Sequence, residues 1–134
     1  MIVKSVKVFK NKVIKNKKGS LIKFINKSDL YFKSFGEIYF SEIKANSIKG
    51  WNYHKKFTCI MTVPVGTVEF KIINQRNKLL KKKITRSQIL VIPPKHWFCF
   101  KSGHQNSIVA NLLDGKHSEK ETKKKNLLKN IHIK

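Results

Sequence analysis

A chain of 134 residues forms one domain able to bury roughly 65–70% of its unfolded surface, so neither a second domain nor disulfide staples are needed for a core. Its 30 Lys and Arg against 7 Asp and Glu leave a formal charge of +23, a field that attracts polyanions, including the diphosphate of a nucleotide. No apolar run approaches the roughly 18 residues of a membrane span, and lysine interrupts the amino terminus too often for a signal peptide; a soluble cytoplasmic protein with no membrane association is expected.

From Ile2 to Phe9, and again at Val13 and Ile14, β-branched residues alternate with lysine, the pattern of an edge strand whose charges blunt pairing with other chains. NKKGS, Asn16 to Ser20, is a turn, and Leu21 to Ile25 returns as a strand. Ser28 and Asp29 cap a short helical turn or begin a loop. Glu37 to Ile43 is a strand, followed by a turn around Ala45 to Ser47. The organising stretch is KGWNYHKKFTCIMTVPVG, Lys49 to Gly66, which reads as the wall of a small β-barrel. Strand side chains alternate faces, so Asn52 and His54 share one face and Trp51 and Tyr53 the other. One of these faces should line a pocket. Phe57 to Val63 suits a strand packed on one face and part-buried on the other, and Pro64 to Gly66 turns the chain back through Thr67 to Ile73.

NQRNK, Asn74 to Lys78, is a hairpin turn, and Leu79 to Thr85 a strand with exposed lysines. Ile89 to Ile92 is a short buried strand stopped by Pro93 and Pro94, since proline donates no ladder hydrogen bond. Trp97 to Phe100 and Ser107 to Leu113 complete the core strands. Many short strands argue for an antiparallel all-β sandwich or jelly roll over residues 1–114. Residues 115–134, rich in Lys, Asn and Glu, read as a short amphipathic helix or a partly disordered basic tail.

The charge invites a nucleic-acid reading. Against it stand the scarcity of arginine, confined to Arg76 and Arg86, whose planar fork dominates phosphate and base recognition, and the scatter of lysine over the whole chain. Abundant Ile and Asn with only Ala45 and Ala110 match the drift of an AT-rich genome. Cys59 and Cys99 sit inside apolar runs and read as reduced core thiols.

FGEIYFSEIKANSIKGWNYHKK, VPVGTVEFKI and VIPPKHWFCF together resemble the RmlC-like cupins, the dTDP-4-dehydrorhamnose 3,5-epimerases and dTDP-sugar 3,4-ketoisomerases. The first segment is similar to the one in which epimerases carry Arg-Gly-Leu-His-Tyr and ketoisomerases Arg-Gly-x-His-Ala-His. The third resembles the epimerases' Ile-Pro-Pro-Gly-Phe-Ala-His-Gly-Phe. The resemblance implies a jelly roll, a homodimer paired through the N-terminal strands, a nucleotide-sugar ligand and acid-base epimerisation or isomerisation of a 4-keto-6-deoxy sugar in surface-polysaccharide biosynthesis. Metal-binding cupins carry His-x-His with a following Glu, then Pro-x-Gly-x-x-His. Here Asn52 takes the first histidine's place, His54 matches the second, no acid follows, Lys95 falls on the glycine and Phe98 on the last histidine. Three protein ligands are the usual minimum for a catalytic metal, so no metal and no cofactor are expected.

The departures shape the candidate site. The epimerases' base histidine falls on Asn52, their arginine on Lys49 and their catalytic tyrosine on Lys101, and no segment resembles their C-terminal Trp-Asn-Asp-Pro, from which an acidic partner for that histidine is expected. His54 is then the candidate base, with Tyr39 and Tyr53 as candidate acids. Asn52 is positioned to hydrogen-bond a substrate oxygen, Lys49 and Lys101 to clamp a diphosphate, and Trp51 to pack in the wall or stack on a base. Two alternatives stand beside the enzyme: a non-catalytic sugar-nucleotide or carbohydrate-binding cupin that lost its base at Asn52, and a basic nucleic-acid-binding barrel.

Overall fold

Alternation of side chains, read along each strand, sorts this chain into a pair of facing sheets. The computed structural model describes residues 4–115 and the strand at 122–124. In chain order the strands are β1 (Lys7–Lys10), β2 (Val13–Ile14), β3 (Leu21–Ile22), β4 (Glu37–Ile43), β5 (Ile48–His54), β6 (Cys59–Val65), β7 (Val68–Ile73), β8 (Leu79–Ile84), β9 (Gln88–Ile92), β10 (Trp97–Ser102), β11 (Ser107–Leu113) and β12 (Thr122–Lys124). One five-stranded sheet has the order β1-β9-β6-β11-β4, a second the order β12-β5-β10-β7-β8, and β2 pairs β3 as a separate hairpin. All neighbours are antiparallel. This is a jelly roll, one of the two all-β architectures that strand spacing leaves open and the one that the resemblance implies. No helix among the described residues is long and apolar enough to cross a membrane.

The core lies between the two sheets. Met61, Val63 and Ile92 from the first face Phe70, Ile72, Phe98 and Phe100 from the second, and the Phe70 and Phe100 rings pack with centroids 5.3 Å apart. Each such side chain contributes roughly 1.5–3 kcal/mol by leaving water. Along β4 the exposure alternates: Tyr39 and Ser41 turn inward, Ile38 and Phe40 outward. That alternation aims β4 at the interior while leaving it the outer edge of its sheet.

Two strands differ from the alternation expected of them. Phe57 to Val63 reads as half-buried, yet Cys59 through Val63 are buried throughout. The reason is a second apolar layer: Phe9, Phe24, Ile25, Tyr31 and Phe32 of the N-terminal region pack on the outer face of this sheet, over Ile60, Ile89, Val91 and Leu112. The strand also runs through Pro64 to Val65 rather than turning at Pro64. There Thr62 pairs Ala110 and Val65 pairs Ile108, so Val63 and Pro64 together oppose Val109. A bulge of this kind spares proline a ladder bond that it cannot donate. Gly66, at φ 90°, makes the turn that follows.

The expected C-terminal helix or tail is corrected where it is described. Thr122–Lys124 is a strand on the edge of β5, with Thr122 opposite His54 and Lys124 opposite Asn52. Leu127, Leu128, Ile131 and Ile133, the residues expected to give that helix an apolar face, lie outside the described residues.

Candidate functional site

A cavity of about 560 Å³ opens between the sheets where β4 and β11 face β5 and β10. Its wall on the first sheet is built from cross-strand rows. Tyr39, Asn111 and Met61 stand opposite one another on β4, β11 and β6, and Ser41 stands opposite Val109. The facing wall is Lys49, Asn52 and His54 of β5 with Phe98 and Phe100 of β10. Glu37, Gly50 and Trp51 complete the lining.

His54 is 4% exposed and its ring stacks over Phe98, centroids 6.3 Å apart. The backbone anchors it further, since the His54 carbonyl accepts a 2.7 Å bond from the Lys95 amide. Asn52 lies beside it on the same face, as alternation predicts, and pairs with Phe98 across the ladder. Trp51 and Tyr53 point the other way. The Trp51 indole is buried with Ile73 and Cys99, so although the residue borders the cavity, stacking on a base is not the role its ring is placed for. Tyr53 packs on Trp97, centroids 5.0 Å apart, outside the cavity. Tyr53 is therefore not brought together with His54, and of the two candidate tyrosines only Tyr39 lines the site.

Lys49 reaches the cavity through an irregularity that simple alternation misses. Asn52 pairs Phe98 but Gly50 pairs Cys99, so Trp51 is an extra residue on β5 and the strand changes face across it. Without that bulge Lys49 would share the outer face with Tyr53. With it, Lys49 opposes Phe100 and its Nζ donates to Ser41 Oγ at 3.2 Å, bridging β5 to β4 at the rim. Gly50 makes the bulge possible: at φ +125° a Cβ would lie 2.7 Å from Cys99 Cβ, closer than packed carbon atoms approach. Lys101 is not brought to the site. It is exposed, paired with Glu69 and Ile48 on the outer face.

Three lining residues escape a reading from sequence alone. Glu37 and Ser41 lie on an unremarkable alternating strand. Asn111 carries a signal in retrospect, being the polar residue in the middle of the apolar run SIVANLL. Its Nδ2 donates to Tyr39 Oη at 2.9 Å, while its Oδ1, in a residue 3% exposed, has no hydrogen-bond partner among the described residues. Leaving a buried acceptor unmatched costs about 1–3 kcal/mol.

The lining does not fit a metal. Among the described residues no three His, Cys, Asp or Glu side chains gather as a metal-binding group. The His54 ring stacks on Phe98, which stands where the motif's last histidine would be, and Asn52 shares its strand face.

A family model described as Cupin matches residues 6–131. A search of curated protein sequences finds no match. Among solved structures, a dTDP sugar isomerase from Desulfovibrio desulfuricans G20 is similar over 95% of this chain and 87% of its own, with 26% identity and a TM-score of 0.89. A dTDP-4-dehydrorhamnose 3,5-epimerase from Bacillus anthracis, with TDP and PPi bound, is 18% identical over 96% of this chain and 83% of its own, TM-score 0.84. A mutant of the 3,4-ketoisomerase QdtA from Thermoanaerobacterium thermosaccharolyticum, in complex with TDP-4-keto-6-deoxyglucose, is 20% identical over 91% of this chain and 88% of its own, TM-score 0.78. Sequence match, strand order and the cavity between the sheets agree: this chain belongs to the cupin family and has the fold of its RmlC-like members.

Proposed function

We propose that this chain is a nucleotide-sugar epimerase or isomerase acting on a 4-keto-6-deoxy sugar in surface-polysaccharide biosynthesis. The observation that carries the reading is the placement of His54 and Tyr39 on facing walls of one cavity, with Asn52 on the strand face of His54 and Lys49 at the rim. Relatives of this fold bind TDP or TDP-4-keto-6-deoxyglucose, which supports the ligand class.

Proton transfer beside a ketone needs a base, an acid on the other face of the reacting carbon and a donor for the enolate oxygen. His54 accepts the α-proton, and the C–H electron pair forms the enolate with its charge on the ketone oxygen. Asn52 Nδ2 donates to that oxygen; its amide accepts no proton at neutral pH. Tyr39, across the cavity, returns a proton from the opposite side, and exchange with solvent restores both groups. Lys49 at the rim holds the diphosphate as a point charge, less directional than the family's arginine.

Asn52 also favours a second reading, a binder that has lost its base. Deuterium wash-in separates the two. Incubated in D₂O with TDP-4-keto-6-deoxyglucose, the enzyme exchanges the protons beside the ketone and a binder does not. Asn52→His, which restores a second imidazole, should raise the exchange; binding without exchange from the parent and from this variant would move the assignment to the binder.

A further inference from the structure

We propose that Asn111 orients the sugar ring: its Oδ1 accepts a hydrogen bond from a hydroxyl of the ligand, while its Nδ2 holds the Tyr39 phenol in the attitude from which it gives up its proton. The inference rests on the nucleotide-sugar reading and adds to it a residue that neither the motifs nor alternation singles out.

Three observations converge on Asn111. It lines the cavity in the same cross-strand row as Tyr39. It is 3% exposed, in a strand whose neighbours Ala110, Leu112 and Leu113 are apolar and buried. Its two amide ends are unequal, since Nδ2 is engaged by Tyr39 Oη at 2.9 Å and Oδ1 has no partner among the described residues.

A core strand gains nothing from an unmatched amide oxygen, because an apolar side chain of similar size there would avoid the desolvation cost. An acceptor kept in that position fits a donor that arrives with the ligand. Sugar hydroxyls supply such donors; the diphosphate and the ketone, which only accept, do not. The Nδ2 donor has a complementary effect on Tyr39. It occupies a lone pair of Oη, leaving the phenolic O–H as the donor, and it supports the negative charge on that oxygen once the proton has gone. Asn111 is thus a positioning residue for Tyr39 and a binding residue for the sugar.

The test uses Asn111→Leu and Asn111→Asp in the full chain, with TDP and TDP-4-keto-6-deoxyglucose as probes. Leucine removes both amide ends. It should weaken TDP-4-keto-6-deoxyglucose binding by at least about tenfold and leave TDP binding within about twofold, with an unliganded thermal midpoint equal to or above the parent's. Aspartate keeps an acceptor but cannot donate to Tyr39 when ionised. It should retain sugar-nucleotide affinity better than leucine does, yet lower the turnover of proton exchange at saturating substrate, a kcat effect rather than a KM effect. Equal losses for both probes, or no loss for either when the parent binds the sugar nucleotide, would overturn the role of Asn111 alone. A parent that binds neither probe would overturn the nucleotide-sugar reading, and this inference with it.

Discussion

At the scale of single residues, the site divides into those whose chemistry shows in the chain and those whose importance depends on what lies opposite. His54 and Asn52 were legible because period-two alternation gives both the same face, and the structure places both on the cavity. Tyr39 and Tyr53 looked equivalent, for each is an aromatic on a strand; only cross-strand packing, Tyr53 on Trp97 and Tyr39 beside Asn111, separates them. Cys99 illustrates a residue whose environment was readable in outline. Its burial was expected from the apolar run around it, and that burial pushes the thiol up to about 11, against the opposing influence of the nearby Lys71 ammonium. A raised folded-state value means that the native protein holds this proton more tightly than the unfolded chain does. The stabilisation is therefore complete below the ordinary thiol value and is lost as pH rises through about 11, as linkage requires. Denaturant midpoints measured from pH 8 to 11, each pH an experimental setting of roughly the range over which thiols titrate, should fall less steeply for Cys99→Ala than for the parent. Parallel curves would show that the thiol takes no part.

At the scale of elements, β5 holds the site together through a device that alternation hides. The strand pattern alone puts Lys49 with Trp51 and Tyr53, and only the extra residue at Trp51 returns it to the inner face. The visible clue was Gly50, whose positive φ and missing Cβ the bulge demands. Gly50→Ala should destabilise the fold by about 2 kcal/mol or more, the scale of a strained backbone position combined with a steric clash. It should also weaken diphosphate binding, because Lys49 loses its place. Urea denaturation and TDP titration of the same variant check both effects, and an unchanged urea midpoint would mean that the bulge accepts a side chain. Two further elements were out of reach for a different reason. The N-terminal aromatics that cover β6 act at long range, and β12 gains its strand from pairing with β5 rather than from any apolar pattern of its own.

At the scale of the whole molecule, an antiparallel sandwich or jelly roll was legible because many short strands punctuated by Gly, Pro and Asn leave few other solutions, and the resemblance chose between the two, whereas association is not written in alternation. We propose the homodimer that the family resemblance implies, paired through the edge strand β1, where Val8 is 42% exposed between Lys7 and Phe9. Light scattering at micromolar concentration should give twice the chain mass; the mass of a single chain would remove the dimer. The charge of +23 acts at this scale too, drawing anions toward the molecule from a distance set by the Debye length, roughly 8 Å at physiological ionic strength. Specific placement then falls to the few groups in the cavity.

Deuterium incorporation into TDP-4-keto-6-deoxyglucose, followed by NMR for the parent and for His54→Ala with affinities measured in parallel, tests most directly whether His54 moves a proton beside a ketone. The parent should incorporate deuterium at the carbons flanking the ketone, and His54→Ala none above the uncatalysed rate. The variant should still bind within about tenfold of the parent, since Lys49 and the apolar wall hold most of the ligand and one side-chain contact is worth about 1 kcal/mol. Equal incorporation by the two proteins would refute that role for His54, as would a parent that binds the sugar nucleotide and exchanges nothing.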